Sequence, residues 1–213
     1  MWLDSRPEPH AFRQEDLVGG HVALDFANTV AGRNGTPRDW LVSYASLLEW
    51  AMRTGEFGAG DLADLERLAR SHPDEAEGAL EYARTVREAI AEACEAVAGG
   101  REPREEALAA LDAARVASAG AGTLMPVGRG VRTEWSVERS GLRLVVDVVS
   151  ARAVDLLSHG RVERLRVCAG DDCGWIFIDS SRGGQRRWCD MATCGNVAKA
   201  RRYLRRRREG GEG

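Results

Sequence analysis

Four of the five cysteines of this 213-residue chain lie between positions 168 and 194. Cys168 and Cys173 bracket four residues, fifteen residues follow, and Cys189 and Cys194 again bracket four. Two close pairs joined by a loop can bring four sulfur atoms to the corners of a tetrahedron, the donor set of a closed structural zinc site. Soft thiolates also suit an iron–sulfur cluster, and paired cysteines can work as redox disulfides; the matched spacers and the lack of further nearby cysteines favour Zn2+. A stretch this short and polar buries little, so a bound metal has to supply folding energy that its few aromatic residues cannot. Trp175, Phe177 and Trp188 are the expected miniature core, "GWIFID" reads as a strand and "SSRGGQRR" as an exposed turn. Gly170, Gly174 and Gly195 stand beside the cysteines, where turns that aim N–H groups at sulfur often need positive φ.

Compartment bears on this reading, because in a reducing one clustered cysteines hold metal or do redox work in preference to forming disulfides. The start, "MWLDSRPEPHAFRQEDL", has acids and prolines where a signal peptide needs a basic start and an apolar segment, so a cytoplasmic location is expected. No apolar run approaches the ~18 residues that span a bilayer, which excludes a membrane span. Cys94, inside an alanine-rich helical pattern, reads as a small buried apolar residue.

Charge divides the chain. From residue 151 onward 14 Lys and Arg face 8 Asp and Glu, or +6, whereas the first 150 residues hold 16 and 25, or −9. Four thiolates on one zinc leave about −2 in the ionic picture, and Arg182, Arg186, Arg187 and Lys199 are near enough in sequence to offset it. Beyond Cys194, "NVAKARRYLRRRR" predicts a helix with Asn196 as its N-cap and a narrow apolar stripe of Val197, Ala200 and Leu204, with Tyr203 beside it. Arg182, Arg186, Arg187, Lys199, Arg201, Arg202, Arg205 and Arg206 are the candidate nucleic-acid contacts, through phosphates above all. DNA is the expected partner, and charge alone does not exclude RNA. The bland alternative is a solvated basic tail.

Upstream, residues 1–18 look loosely attached, and "GGHVALDFANTV" is too short to assign to helix or strand. Leu41, Tyr44, Leu47, Leu48 and Ala51, flanked by Trp40 and Trp50, then predict an amphipathic helix. A second runs through Leu62, Leu65 and Leu68. A third begins near Pro73, carries Ala79, Ala83, Val86, Ile90, Ala93 and Val97, and stops at Gly99; a fourth fits 104–117. A hairpin over 122–137 turns at Gly128–Arg129–Gly130, and residues 142–157 favour helix. The expected fold class is α+β: a mostly helical N-terminal domain with a small antiparallel sheet over 1–160, a zinc-finger module ending in a basic helix over 161–208, and a flexible tail over 209–213. His21, Asp25 and Asn28 cluster within one motif and invite a ligand-binding hypothesis, set against core and capping roles. His72 and His159 adjoin helix ends and suggest no catalysis.

"RLRVCAGDDCGWIFIDSSRGGQRRWCDMATCGN" with the following "AKARRYLRR" resembles the CGNR zinc finger, and "GGHVALDFANTV" with "DWLVSYASLLEWA" resembles the ABATE domain that precedes it. The resemblance implies a bacterial stress-induced transcription regulator with an α/β N-terminal domain and a DNA-binding finger. It carries the metal ligands over to Cys168, Cys173, Cys189 and Cys194. The signature matches at Cys194, Gly195 and Asn196 and departs at Val197, where the family has arginine.

The expectation is therefore a non-enzymatic transcription regulator whose N-terminal domain senses a small-molecule effector or forms a homodimer. The alternatives are a small-molecule-binding protein or enzyme with a purely structural finger, and a redox switch that ejects zinc on oxidation.

Overall fold

A computed structural model describes residues 10–209, and most of its elements follow the hydrophobic spacing. In chain order they are α1 (Val22–Ala27), the two-residue strands β1 (Val30–Ala31) and β2 (Arg38–Asp39), α2 (Tyr44–Thr54), α3 (Ala59–Ser71), α4 (Pro73–Ala98), α5 (Glu105–Ala121), the strands β3 (Thr123–Val127) and β4 (Gly130–Glu134), α6 (Val137–Ser140), α7 (Leu144–His159), β5 (Leu165–Val167), β6 (Ile176–Ile178) and α8 (Asn196–Glu209). The strands form three antiparallel ribbons, β1–β2, β3–β4 and β5–β6, so the class is α+β, mostly helical with small antiparallel sheets. Among the described residues no helix is long and apolar enough to cross a membrane.

α4 is the central pillar. Pro73 occupies its first turn, where a missing N–H costs nothing, and Gly99 follows its last residue. Leu80, Ala83, Ile90, Ala93 and Cys94 are each fully buried along it, and burial pushes the Cys94 thiol up to about 12. Alanines on α4, Ala107 and Ala114 on α5 and Ala153 on α7 let these helices approach closely. Phe26 of α1 and Trp50 of α2, both fully buried, meet at 5.0 Å between ring centres. The ambiguous motif 19–30 thus holds both elements: a six-residue helix, then β1.

Two expectations change at the edges. The segment before α1 is not loose from residue 10 on: Phe12 is 2% exposed and joins the core, its N–H donates to Glu49 Oε1 at 3.0 Å, and His10 stacks on Trp40. Aromatic burial outweighs the entropy of ordering this arm. Residues 1–9 and 210–213, which include most of the expected tail, lie outside the described residues, and Glu209 belongs to α8. The fourth helix runs to Ala121, past the expected 117.

One core crosses residue 160. Leu165 and Ile176, from β5 and β6, are fully buried in the same cluster as α1 and α4. At the seam Asn28, 1% exposed, donates from Nδ2 to the Ile176 carbonyl and accepts the Ile176 N–H on Oδ1, both at 2.9 Å. The side-chain amide thereby satisfies both backbone groups of a buried residue that no further strand pairs. Ile178 N–H donates to the Gly19 carbonyl at 2.9 Å, extending the seam. Arg87, 3% exposed on α4, ties β2 in by two bonds to Asp39 at 2.6 and 2.7 Å.

Replacing Asn28 by alanine leaves a buried donor and a buried acceptor without partners and is expected to cost about 2–4 kcal/mol. Asn28→Asp is expected to fail too, because a carboxylate has no proton for the Ile176 carbonyl. Urea unfolding of the metal-loaded protein checks both.

Candidate metal centre and basic helix

Cys168 continues β5, its N–H donating to the Trp175 carbonyl at 2.8 Å. The chain then turns through Gly170 to Cys173, whose N–H donates back to the Gly170 carbonyl at 3.1 Å. Gly174 has φ +73°, as anticipated for a turn beside a thiolate, and a side chain there would meet Arg33 and Asn34 at 2.8 Å. Gly170 and Gly195 do not have positive φ. Space is tight there all the same: a Cβ on Gly170 would sit 3.0 Å from Cys173 Cβ, and one on Gly195 2.7 Å from Sδ of Met191, whose exposed side chain can give way.

The four sulfur atoms of Cys168, Cys173, Cys189 and Cys194 lie within 4.8 Å of one another. Cys173 and Cys189 are 3.6 Å apart and Cys189 and Cys194 3.7 Å. Sulfurs bonded to one tetrahedral zinc at ~2.3 Å stand about 3.8 Å apart, whereas a disulfide needs ~2.05 Å. The donor set fits a single ion at its centre. Cys189 N–H donates to Cys168 Sγ at 3.3 Å, the kind of bond that stabilises a thiolate. Hydrogen bonds from Cys173 and Cys189 lower the Cys168 thiol, while hydrogen bonding to Cys168 raises Cys173 and Cys189. Four thiolates at this spacing would need a counter-cation, which a bound metal ion would supply.

Each cysteine pair has its own support. A loop of the N-terminal region, residues 32–36, cups the first pair: Arg33 N–H donates to the Cys173 carbonyl at 2.9 Å, Asn34 Nδ2 to the carbonyls of Cys168 and Gly170 at 3.2 and 2.9 Å, and Thr36 N–H to Asp172 Oδ1 at 3.2 Å. Asp179, 1% exposed, organises the approach to the second pair, accepting from Ser181 and Arg186 N–H at 2.9 and 2.8 Å. Hydrogen bonds from the Ser181 side chain and these amides hold its carboxyl down at about 2. Neither the loop nor Asp179 stands out in the sequence. The Asn34–Gly35 turn was the one signal available for the first, and a single aspartate in a polar stretch gives none for the second.

Arg186 differs from the expectation. Its Nε donates to the Trp188 carbonyl at 2.8 Å, its Nη2 to the Cys189 carbonyl, and its guanidinium lies 4.6 Å from the Phe177 ring centre. It braces the second pair and is not free for phosphates. Phe177 is fully buried with Cys168 and Cys189, and Trp175 and Trp188 pack partly buried against them, as the miniature core required. Arg182 is exposed in the 180–185 loop, and Arg187 is exposed with its guanidinium 5.3 Å from the Trp188 ring.

α8 starts where the second pair ends. Asp190 accepts from Thr193 N–H at 2.8 Å, capping a π turn over Met191–Gly195 that runs straight into α8. Asn196 is therefore not the N-cap; it is helical, and its Nδ2 donates to the Ala192 carbonyl at 3.0 Å. The apolar stripe is likewise unanchored: Val197 and Leu204 are 51% and 56% exposed, and Ala200 and Tyr203 are exposed as well. Helical periodicity aligns these residues correctly, but none of the four is buried among the described residues. Val197, where the resemblance has arginine, has no packing role. Arg201 pairs with Asp171, whereas Lys199, Arg202, Arg205 and Arg206 are exposed and make no ion pair among the described residues.

His21, Asp25 and Asn28 each serve the backbone. His21 Nδ1 accepts from Ala23 N–H at 3.3 Å as the N-cap of α1, and burial, then Arg152, holds its pKa below the ordinary value. Asp25 Oδ1 accepts from Gly19 N–H at 2.8 Å, and burial raises its carboxyl to about 7. Asn28 is spent on Ile176. His72 accompanies the α3–α4 junction, its Nδ1 3.2 Å from the Leu68 carbonyl, and exposed His159 lies 3.3 Å from Asp155.

Two family models match the chain. The model described as "CGNR zinc finger" covers residues 164–207, and the ABATE model, described as "Putative stress-induced transcription regulator", covers residues 20–160, more than half of the chain. No curated protein matches it.

A carboxyl whose pKa is raised on folding contributes stability fully present below its unfolded value, near 4, and lost as pH rises through about 7. Asp25→Asn keeps an acceptor for Gly19 and is expected to be the more stable protein at pH 8, by about 1–3 kcal/mol, with the difference vanishing near pH 4. Thermal midpoints of both proteins across that range check it. For the metal, elemental analysis is expected to find one ion per chain, lost in Cys189→Ser and retained in Cys94→Ser.

Proposed function

The chain belongs to the ABATE family and carries a CGNR zinc finger, and from that premise we propose that it is a transcription regulator that binds DNA through α8 and the 180–187 loop. The ion would be zinc, whose coordination by Cys168, Cys173, Cys189 and Cys194 would supply folding energy. The observation that carries the reading is the attitude of α8: it leaves the cysteine cluster with its apolar stripe exposed, bearing Lys199, Arg202, Arg205 and Arg206 without acidic partners among the described residues. An isolated helix of this length is marginal in water, so a nucleic-acid groove is the fitting place for one whose outer half is exposed. Arg182 and Arg187 add phosphate donors from the neighbouring loop, while Arg186 and Arg201 contribute chiefly by holding structure. Direct readout of bases would fall to the exposed residues of α8, Val197 included. The N-terminal domain would sense an effector or form a homodimer, the protein would catalyse no reaction, and its thiolates suit the reducing cytoplasm.

The test is selection from a genomic DNA library with zinc-loaded protein over a salt series. A shared sequence that survives moderate salt is expected, with Arg202→Ala and Arg205→Ala each lowering the slope of log affinity against log salt by about 1. Arg186→Ala is expected to lose metal as well as DNA. Binding that is sequence-blind and vanishes with salt, or preference for structured RNA over every DNA fragment, would overturn the reading.

A further inference from the structure

Between α8, the first cysteine pair and the β1–β2 region lies a cleft of about 640 Å³, of a size that holds a small molecule and far larger than one metal ion needs. Its aromatic walls are Trp40, Trp175 and Trp188. Trp40 is held by His10 stacked at 3.6 Å and by Trp175 edge-on at 5.4 Å, and the Trp175 indole N–H donates to the Val30 carbonyl at 3.1 Å. Trp40 and Trp175 thus have their orientations set by neighbours within the chain, and Trp188 packs partly buried against the cysteine cluster.

Charges of both signs face the cleft, but they are not equally available. Asp16 accepts from His10 and from Arg13 N–H, Asp171 from Arg201, Asp172 from Thr36 N–H and Asp190 from Thr193. Glu15 alone of the lining carboxylates has no partner among the described residues. Arg38, Arg187, Arg202 and Arg205 line the same space and have no acidic partner among those residues. The lining holds five arginines and five carboxylates, but the groups left without a partner among the described residues are four guanidiniums against one carboxylate, and these unspent donors stand beside the indoles.

We propose that this cleft is a binding site for a small planar aromatic anion, its ring against the tryptophans and its carboxylate or phosphate on the arginines. The site stands apart from the DNA reading, because Arg38 and Trp40 belong to the N-terminal region and are no part of the proposed nucleic-acid contacts. Arg187, Arg202 and Arg205 belong to both, which makes an occupied cleft a competitor for the basic face of α8 and its neighbouring loop.

The test uses the zinc-loaded full-length chain, titrated with adenosine monophosphate and with salicylate and followed by calorimetry and tryptophan fluorescence. Adenosine and benzyl alcohol are the uncharged counterparts. At least one anion is expected to saturate at millimolar concentration or below, at least about tenfold tighter than its counterpart, and the stronger of the two tells phosphate from carboxylate. Arg38→Gln and Arg187→Gln are each expected to weaken it about tenfold with unchanged metal content and thermal midpoint, while Arg206→Gln, outside the cleft, leaves it unchanged. No saturable binding of either anion overturns the proposal, as does equal binding of the uncharged counterparts or indifference to both cleft variants. DNA affinity is not read in this test, so its failure is separate from that of the DNA reading.

Discussion

Asn28 gives its whole amide to the backbone of one residue. From the end of α1 it bonds the N–H and the carbonyl of Ile176, in a seam where water has no access. Around that point the rest of the C-terminal region is registered: Ile178 on Gly19, Trp175 on Val30, Cys173 on Arg33, Cys168 and Gly170 on Asn34. A backbone group buried without a partner costs more than a formed bond contributes, so β6 has one place to sit. What the sequence presents as a finger following a domain is, physically, a hairpin laid into the core of that domain.

The cysteine cluster inherits its position from this seam. The first pair is cupped by the 32–36 loop, and the second is brought to it by the Ala169 N–H bond to the Arg187 carbonyl and by the Arg186 guanidinium beneath Trp188 and Cys189. Half of the metal cage therefore leans on the N-terminal region and half on the finger's own loop. Loss of the ion would release repulsion among thiolates into contacts that also hold β1, which couples the metal to more of the chain than its own module.

The four cysteines, the helices and the small ribbons were legible in the sequence because each is a local pattern: a spacing of thiols, a period of apolar residues, a Gly–Arg–Gly turn. The errors fell where a local pattern needs a distant partner to give it meaning. Val197, Ala200 and Leu204 form a correct helical stripe, but a stripe does not say whether a surface faces it. Arg186 and Arg205 look alike in sequence; one places its fork on two carbonyls and the other reaches solvent. Asn196 has the chemistry of a cap, yet Asp190 reaches the Thr193 amide first and the helix winds through a π turn before Asn196 arrives. Asn28 sat in a motif that suggested a ligand, and its ligand is the chain itself.

α8 is held at its root and by the Arg201–Asp171 pair, and its outer half, residues 203–207, is exposed. Its fourteen residues rise about 21 Å from the π turn, so a rotation of only about 10° there displaces the far arginines by about 4 Å. That is a good part of the roughly 7 Å between successive phosphates along a strand. In geometry the cysteine turn is the fulcrum of a lever: any small adjustment among Met191, Gly195 and the thiolates would be enlarged at the tip into a change of which charges can be reached together.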